Sequence, residues 1–241
     1  ILMVILSIFS PLVASIYLLL IIATVLVKAV GIAFQTYNGY RKMKREVQVN
    51  WLAKLNELEK SSELKPSEVV NAVIIAAYNE PYEVLEPTIQ SVVATDYPNQ
   101  NLVIFLAYEE RGGAEIEKTA KRLQSEFGRT FKDFKIVKHP KDLPNEVVGK
   151  GGNITFAGRA LAKYCTEQKI PAKNVLVTTL DSDNKPHQKY FSAATYEFIR
   201  RPDRKHYSYQ PISLFLNNIW DAPDPMRVLA TGNSFWNIVV S

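Results

Sequence analysis

Apolar and polar positions divide the chain into two unlike parts. Residues 1–34 are apolar apart from Ser and Thr, with Lys28 as the single charge. That exceeds the roughly 20 residues a helix needs to cross a bilayer, and it is longer than the core of a signal peptide. Ser10-Pro11 breaks the run, which predicts either the end of one span (residues 1–9) followed by a second (12–34), or one helix kinked at the proline. Downstream, short β-branched runs alternate with helical periods. Residues 69–77 (VVNAVIIAA) and 101–108 (NLVIFLAY) predict strands, with a helix between them carrying Val84, Leu85, Ile89, Val92 and Val93 on one side. A polar helix is predicted over 114–127, a short strand over 134–137, and a loop entering a helix over 150–166. Residues 175–180 (VLVTTL) read as a strand buried on both faces of a parallel sheet. Strands alternating with helices of this length predict βαβ units and a mainly parallel α/β sheet.

The last predicted strand stops at Asp181-Ser182-Asp183, after which Asn184, Lys185 and Pro186 turn the chain, with Pro186 suited to the first position of a helix. Two carboxylates then stand at the carboxyl end of a sheet strand, where open α/β sheets bind ligands. A hard divalent cation is held by one or two carboxylates plus substrate phosphates, so Asp181 and Asp183 are candidate ligands of a Mg²⁺- or Mn²⁺-diphosphate. Other polar turns follow the other strands: Asn79-Glu80, Glu109-Glu110, and Lys150 with Asn153. Together they supply acidic and amide groups for a base and ribose and a cation for phosphate oxygens. Gly149-Lys150-Gly151-Gly152 lacks the spacing of a phosphate loop, no Gly-x-Gly-x-x-Gly opens the first helix, and no Gly-x-Ser-x-Gly elbow is present.

Charge and composition narrow the picture further. The formal net charge of +5 comes mostly from Arg41, Lys42, Lys44 and Arg45, so no broad basic footprint argues for nucleic acid. That basic cluster beside a span predicts a cytoplasmic domain, with Tyr37 and Tyr40 at headgroup level. The single cysteine, Cys165, excludes an intramolecular disulfide framework and reads as a buried structural thiol. His139, His187 and His206 lack metal-ligand spacing and are expected in surface or capping roles. Trp51, Leu52, Leu55 and Leu58 share one helical face, which either lies on the membrane or packs on the domain. The sequence thus predicts an anchor (residues 1–37), a basic juxtamembrane segment and linker (38–66), and an α/β catalytic domain (67–241) expected to be incomplete at its C-terminus.

The series IIAAYNEP, FLAYEERGG, GKGGNITFAGRAL and LVTTLDSDNKPHQKYF resembles the membrane-bound family 2 glycosyltransferases over residues 69–241. The resemblance implies a GT-A fold, a nucleotide-sugar donor (expected to be a UDP-sugar), a divalent metal at Asp-x-Asp, and inverting transfer to a lipid or polysaccharide acceptor. By that resemblance Asp183 is the main metal ligand and Asp181 contacts the ribose or metal side of the donor. Asn79 and Glu80 match the turn beside the nucleotide, and Lys150 and Asn153 match the region near donor phosphate and sugar. The second turn departs from the pattern by offering Glu109 and Glu110 in place of an aspartate. The motif supplying the general base is absent and expected beyond residue 241. Asp221 and Asp224 lie among prolines that argue for a helix-entry turn, and Met226, Val228, Leu229, Phe235, Trp236 and Val239 predict an apolar helix pair or one long helix, expected at the membrane interface near the acceptor. Two alternatives stand beside the transferase: a catalytically silent membrane-tethered nucleotide-binding or scaffold protein, and a nucleotidyltransferase, although the first turn lacks the glycine-rich basic loop usual in the latter.

Overall fold

The computed structural model describes residues 2–144, 149–217 and 219–239. Ile1 and the end of the terminal apolar run, residues 240 and 241, lie outside the described residues. The chain forms two compact units, one of residues 1–49 with 210–241 and one spanning Asn50–Tyr209.

In the first unit, α1 (Leu2–Phe9) and α2 (Pro11–Gln48) are separated at Ser10, with Pro11 opening α2. Proline suits that position because its missing N–H is one that a helix start leaves unpaired anyway. α2 is the one described helix long and apolar enough to cross a membrane. Its apolar side chains point outward along most of the run, with Leu12 and Val27 more than 70% exposed. Beyond that run, the guanidinium of Arg41 lies 5.7 Å from the Tyr37 ring and the Lys44 ammonium 5.8 Å from the Tyr40 ring. α8 (Asp224–Val239) is a single helix. Its first residue, Asp224, pairs with Arg227 at 3.4 Å within the first helical turn, so Asp224 belongs to the helix entry.

The second unit holds β1 (Val70–Ala77), β2 (Leu102–Glu109), β3 (Asp133–His139) and β4 (Val175–Asp181) in one sheet of order β3-β2-β1-β4, every pair parallel. α4 (Tyr82–Val93) and α5 (Ala114–Phe127) connect the first three strands, and α6 (Lys150–Glu167) carries the chain to β4. β1 and β2 are buried at every position because both of their faces are covered. Val73, Ile75, Leu102, Ile104 and Leu106 pack with Leu85, Ile89 and Val92 of α4 and Ile116 and Leu123 of α5. On the opposite face Ala72, Ile74, Val103 and Phe105 meet Ala157, Leu161 and Tyr164 of α6. The same α6 face holds Cys165, whose burial pushes the thiol pKa up, as a structural thiol requires.

Three expectations are corrected. β4 is an edge strand and buries one face only: Leu176, Thr178 and Leu180 point inward, whereas Val177 is 48% exposed. α6 packs on β1, β2 and β3, leaving that outer face open. Pro186 does not start a helix; α7 (Tyr190–Arg200) begins four residues later. His139 is buried at the end of β3 with its ring 5.0 Å from Phe156. The helix over Trp51, α3 (Trp51–Ser61), packs on α7, with Leu55 buried and the Trp51 and Tyr196 rings 5.4 Å apart.

Candidate functional site

The strand order reverses direction between β1 and β4. From β1 the chain steps outward through β2 to β3, then returns to the other side of β1 as β4. α4 and α7, which follow β1 and β4, pack on one face of the sheet and α6 on the other, and the carboxyl ends of strands at such a reversal are where open α/β sheets form a ligand crevice. Ala76 is in register with Asp181, and Ala77 with Tyr108. The predicted turns thus emerge along one edge: 78–81 after β1, 109–113 after β2, and 181–184 after β4.

Asp181 is half-buried and Asp183 exposed. Asn184 N donates to the Asp181 carbonyl at 3.2 Å, closing the turn that carries both. The turn is anchored from α4, where the buried Thr88 hydroxyl donates to Ser182 O at 2.7 Å. Thr88 was not among the sequence candidates; its signal was a polar residue on the face shared by Leu85, Ile89 and Val92.

Lys150 is the first residue of α6, not part of a loop before it. The preceding Gly149 has φ +148°, a conformation that favours glycine and lets the chain enter the helix sharply. The Lys150 ammonium pairs with the Asp181 carboxylate, both side chains about half exposed. Asn153, one turn into α6, is buried; its Nδ2 donates to Ala77 O at 3.1 Å and to Ala107 O at 3.0 Å. One amide thereby ties the α6 start to the last turns of β1 and β2. Its Oδ1 is buried without a hydrogen-bond partner.

The two glutamates after β2 separate. Glu109 is 5% exposed and pairs with Arg111, whose guanidinium lies 5.6 Å from the half-exposed Tyr78 ring. Glu110 faces β3: it accepts from Lys141 N at 3.2 Å and pairs with Lys138 at 3.2 Å. The Lys141 amide, then Lys138, hold its carboxyl below the ordinary range. Gly112 lets the two turns meet, since a Cβ there would lie 1.7 Å from the Tyr78 carbonyl oxygen. In the first turn Glu80 accepts from Tyr78 N at 2.6 Å, and Asn79 is exposed.

No family model matches the chain, and no curated protein sequence matches it. Among solved structures, a mannosyltransferase, PcManGT from Pyrobaculum calidifontis, in complex with GDP-Man and Mn²⁺, is similar over 71% of this chain. The identity is 15% and the TM-score 0.41, and the match covers 45% of that structure's chain, less than half its length. A likeness this distant carries no residue correspondence. Strand order and contacts alone define the crevice.

Among the described residues no cluster of three or more His, Cys, Asp or Glu side chains could cage a metal ion. The candidate donors here are two carboxylates on one turn, Asp181 and Asp183. That matches a hard cation held by one or two carboxylates plus a substrate's phosphates, and not a closed structural site.

Proposed function

We propose that the chain is a membrane-bound glycosyltransferase of the family 2, GT-A type, using a nucleotide-sugar donor, expected to be a UDP-sugar, and inverting the anomeric carbon. The observation that carries this proposal is the pairing of Lys150, at the start of α6, with Asp181 on the Asp181–Asp183 turn at the point where the strand order reverses. Asp183 and Asp181 would hold Mg²⁺ or Mn²⁺, which supplies charge neutralisation for a diphosphate leaving group.

Lys150 sits where α6 leaves its first backbone N–H groups unpaired, so ammonium, amides and helix dipole together favour phosphate oxygens. Its pair with Asp181 is half exposed, and such a pair is worth at most about 1 kcal/mol. The ammonium can therefore exchange the carboxylate for a diphosphate at little cost. Asn153 acts from behind, fixing the helix start against β1 and β2. Asn79 and Glu80 on one turn, and Glu109 and Glu110 on the other, offer amide and carboxylate groups to base and ribose, with Arg111 bracing Glu109 against Tyr78. An acceptor hydroxyl, of a lipid or polysaccharide, attacks in line with departure of the nucleoside diphosphate. Its proton passes to a general base as the bond to the anomeric carbon forms. The domain acts at the cytoplasmic face of the membrane.

The test is turnover by the full-length protein in membranes, given radiolabelled UDP- and GDP-sugars with and without Mg²⁺ or Mn²⁺. Metal-dependent release of a nucleoside diphosphate with label in an acceptor is expected. Metal-dependent binding without release would favour the silent nucleotide-binding alternative.

A further inference from the structure

Protein covers one side of α8, largely through polar contacts, and the other side is apolar and exposed. The covered stripe contains Ser234 and Ile238. Ser234 Oγ accepts from Phe215 N at 3.0 Å, and Asn237 Nδ2 donates to Ser213 O at 2.9 Å. The Ile238 carbonyl comes so close to α2 that a Cβ on Gly39 would lie 2.2 Å from it. On the other side Val228, Leu229, Phe235 and Trp236 are 73, 61, 53 and 57% exposed. From Val228 to Val239 the helix carries no charge. At its N-terminal end Trp220, 79% exposed, lies 5.4 Å from the Arg227 guanidinium. Trp220, Val228, Gly232 and Phe235 line an open cleft of about 530 Å³.

The contact at Gly39 sets the level of this surface along α2. Gly39 lies five residues beyond Phe34, where the apolar run ends, between Tyr37 and Tyr40 and just before Arg41. In a spanning helix that is the headgroup level, marked by aromatic and basic residues. The uncharged part of α8 is about 18 Å long at 1.5 Å per residue, too short to cross a bilayer. Exposed apolar area of this kind, on a helix packed against α2 at that level, is the area an interfacial helix sinks to the headgroup–acyl boundary.

We propose that α8 and Trp220 form an interfacial membrane element, its outer face and cleft occupied by lipid hydrocarbon chains of the leaflet beside the basic cluster. This depends on α2 crossing the membrane and is independent of the chemistry at the crevice. The full chain is reconstituted in phosphatidylcholine–phosphatidylglycerol nanodiscs with or without lipid brominated in the upper acyl chain. Tryptophan emission is compared with that of Trp220→Phe/Trp236→Phe, which keeps Trp51 of the α/β unit as the reference. Bromolipid is expected to quench the parent protein at least two-fold more than the double variant, with acrylamide adding little. Equal quenching of the two overturns the proposal: Trp220 and Trp236 then face water if acrylamide quenches them, and a protein partner or second copy if it does not. Alkaline carbonate extraction is run in parallel, and release of the chain from membranes would overturn the proposal at its premise. Sugar transfer reads neither signal, so failure of the transferase proposal is seen separately.

Discussion

Asn153 offers the sharpest structural test, because one side chain supports three elements. Its amide donates to the carbonyls closing β1 and β2 from inside the fold. Replacing it by alanine removes two hydrogen bonds, each worth about 0.5–1.5 kcal/mol net, and leaves a small cavity. The expected loss is about 2–4 kcal/mol, or about 5–15 °C in Tm for a unit of this size. Asn153→Asp separates the hydrogen-bond argument from the cavity argument. It keeps the volume but sets a carboxylate oxygen against two carbonyl oxygens, so at pH 7 it should destabilise more than alanine. Its deficit should shrink at a pH low enough to protonate the new carboxyl, since only that form can donate. Thermal unfolding of the full chain in detergent, with hydrogen exchange read over residues 70–77 and 102–109, checks both. A shift below 1 °C for Asn153→Ala, or an Asn153→Asp variant as stable as the parent at pH 7, would refute the reasoning.

Gly112→Ala should destabilise the α/β unit by about 1–3 kcal/mol, since its Cβ would meet the Tyr78 backbone, which cannot swing aside as a side chain could; a urea midpoint equal to the parent's would contradict this. Cys165 should react slowly with a thiol reagent at pH 8 in the folded protein and quickly in urea, because burial both shields the thiol and raises its pKa. Glu110 has a lowered folded pKa, so its contribution to stability is present above its unfolded pKa and is lost as pH falls through the folded one. Glu110→Gln should accordingly flatten the acid side of the stability profile and leave the slope above pH 6 unchanged.

Much of this architecture was legible in the chain. The apolar runs of β1 and β2 announced strands, and of the two readings of Ser10-Pro11 the structure shows the break. The run before Asp181 misled, because VLVTTL is apolar enough for a central strand although β4 stands at the edge. Its position follows from where α6 returns the chain, and hydrophobic period does not carry that. The Asp-Ser-Asp turn was visible from residue types alone, and so was Lys150. Its placement in the first turn of α6 was not, since Lys-Gly-Gly reads locally as a loop and helix there depends on packing over the sheet. Asn153 shows a further limit: a sequence can nominate an amide for a site, but only the fold reveals that its N–H groups are taken by Ala77 and Ala107. Arg111 and Gly112 act on the Tyr78 turn, distant in sequence, and their spacing gave no sign of it, whereas Thr88 showed only as a polar residue on the apolar face of α4.

The central claim is that the turn after β4 holds a metal–diphosphate, and it is tested most directly by nucleoside diphosphate binding to the full-length protein with and without Mn²⁺. The parent should bind UDP or GDP far more tightly with the metal than without it. Asp183→Asn, nearly isosteric but a poorer ligand for a hard cation, should lose most of that metal-dependent increment, about 10²-fold if it matches the typical loss of one electrostatic stabiliser, while keeping the parent's Tm. If Asp183→Asn binds the nucleotide with undiminished metal dependence, the turn is no more than a link to α7, and the glycosyltransferase assignment falls.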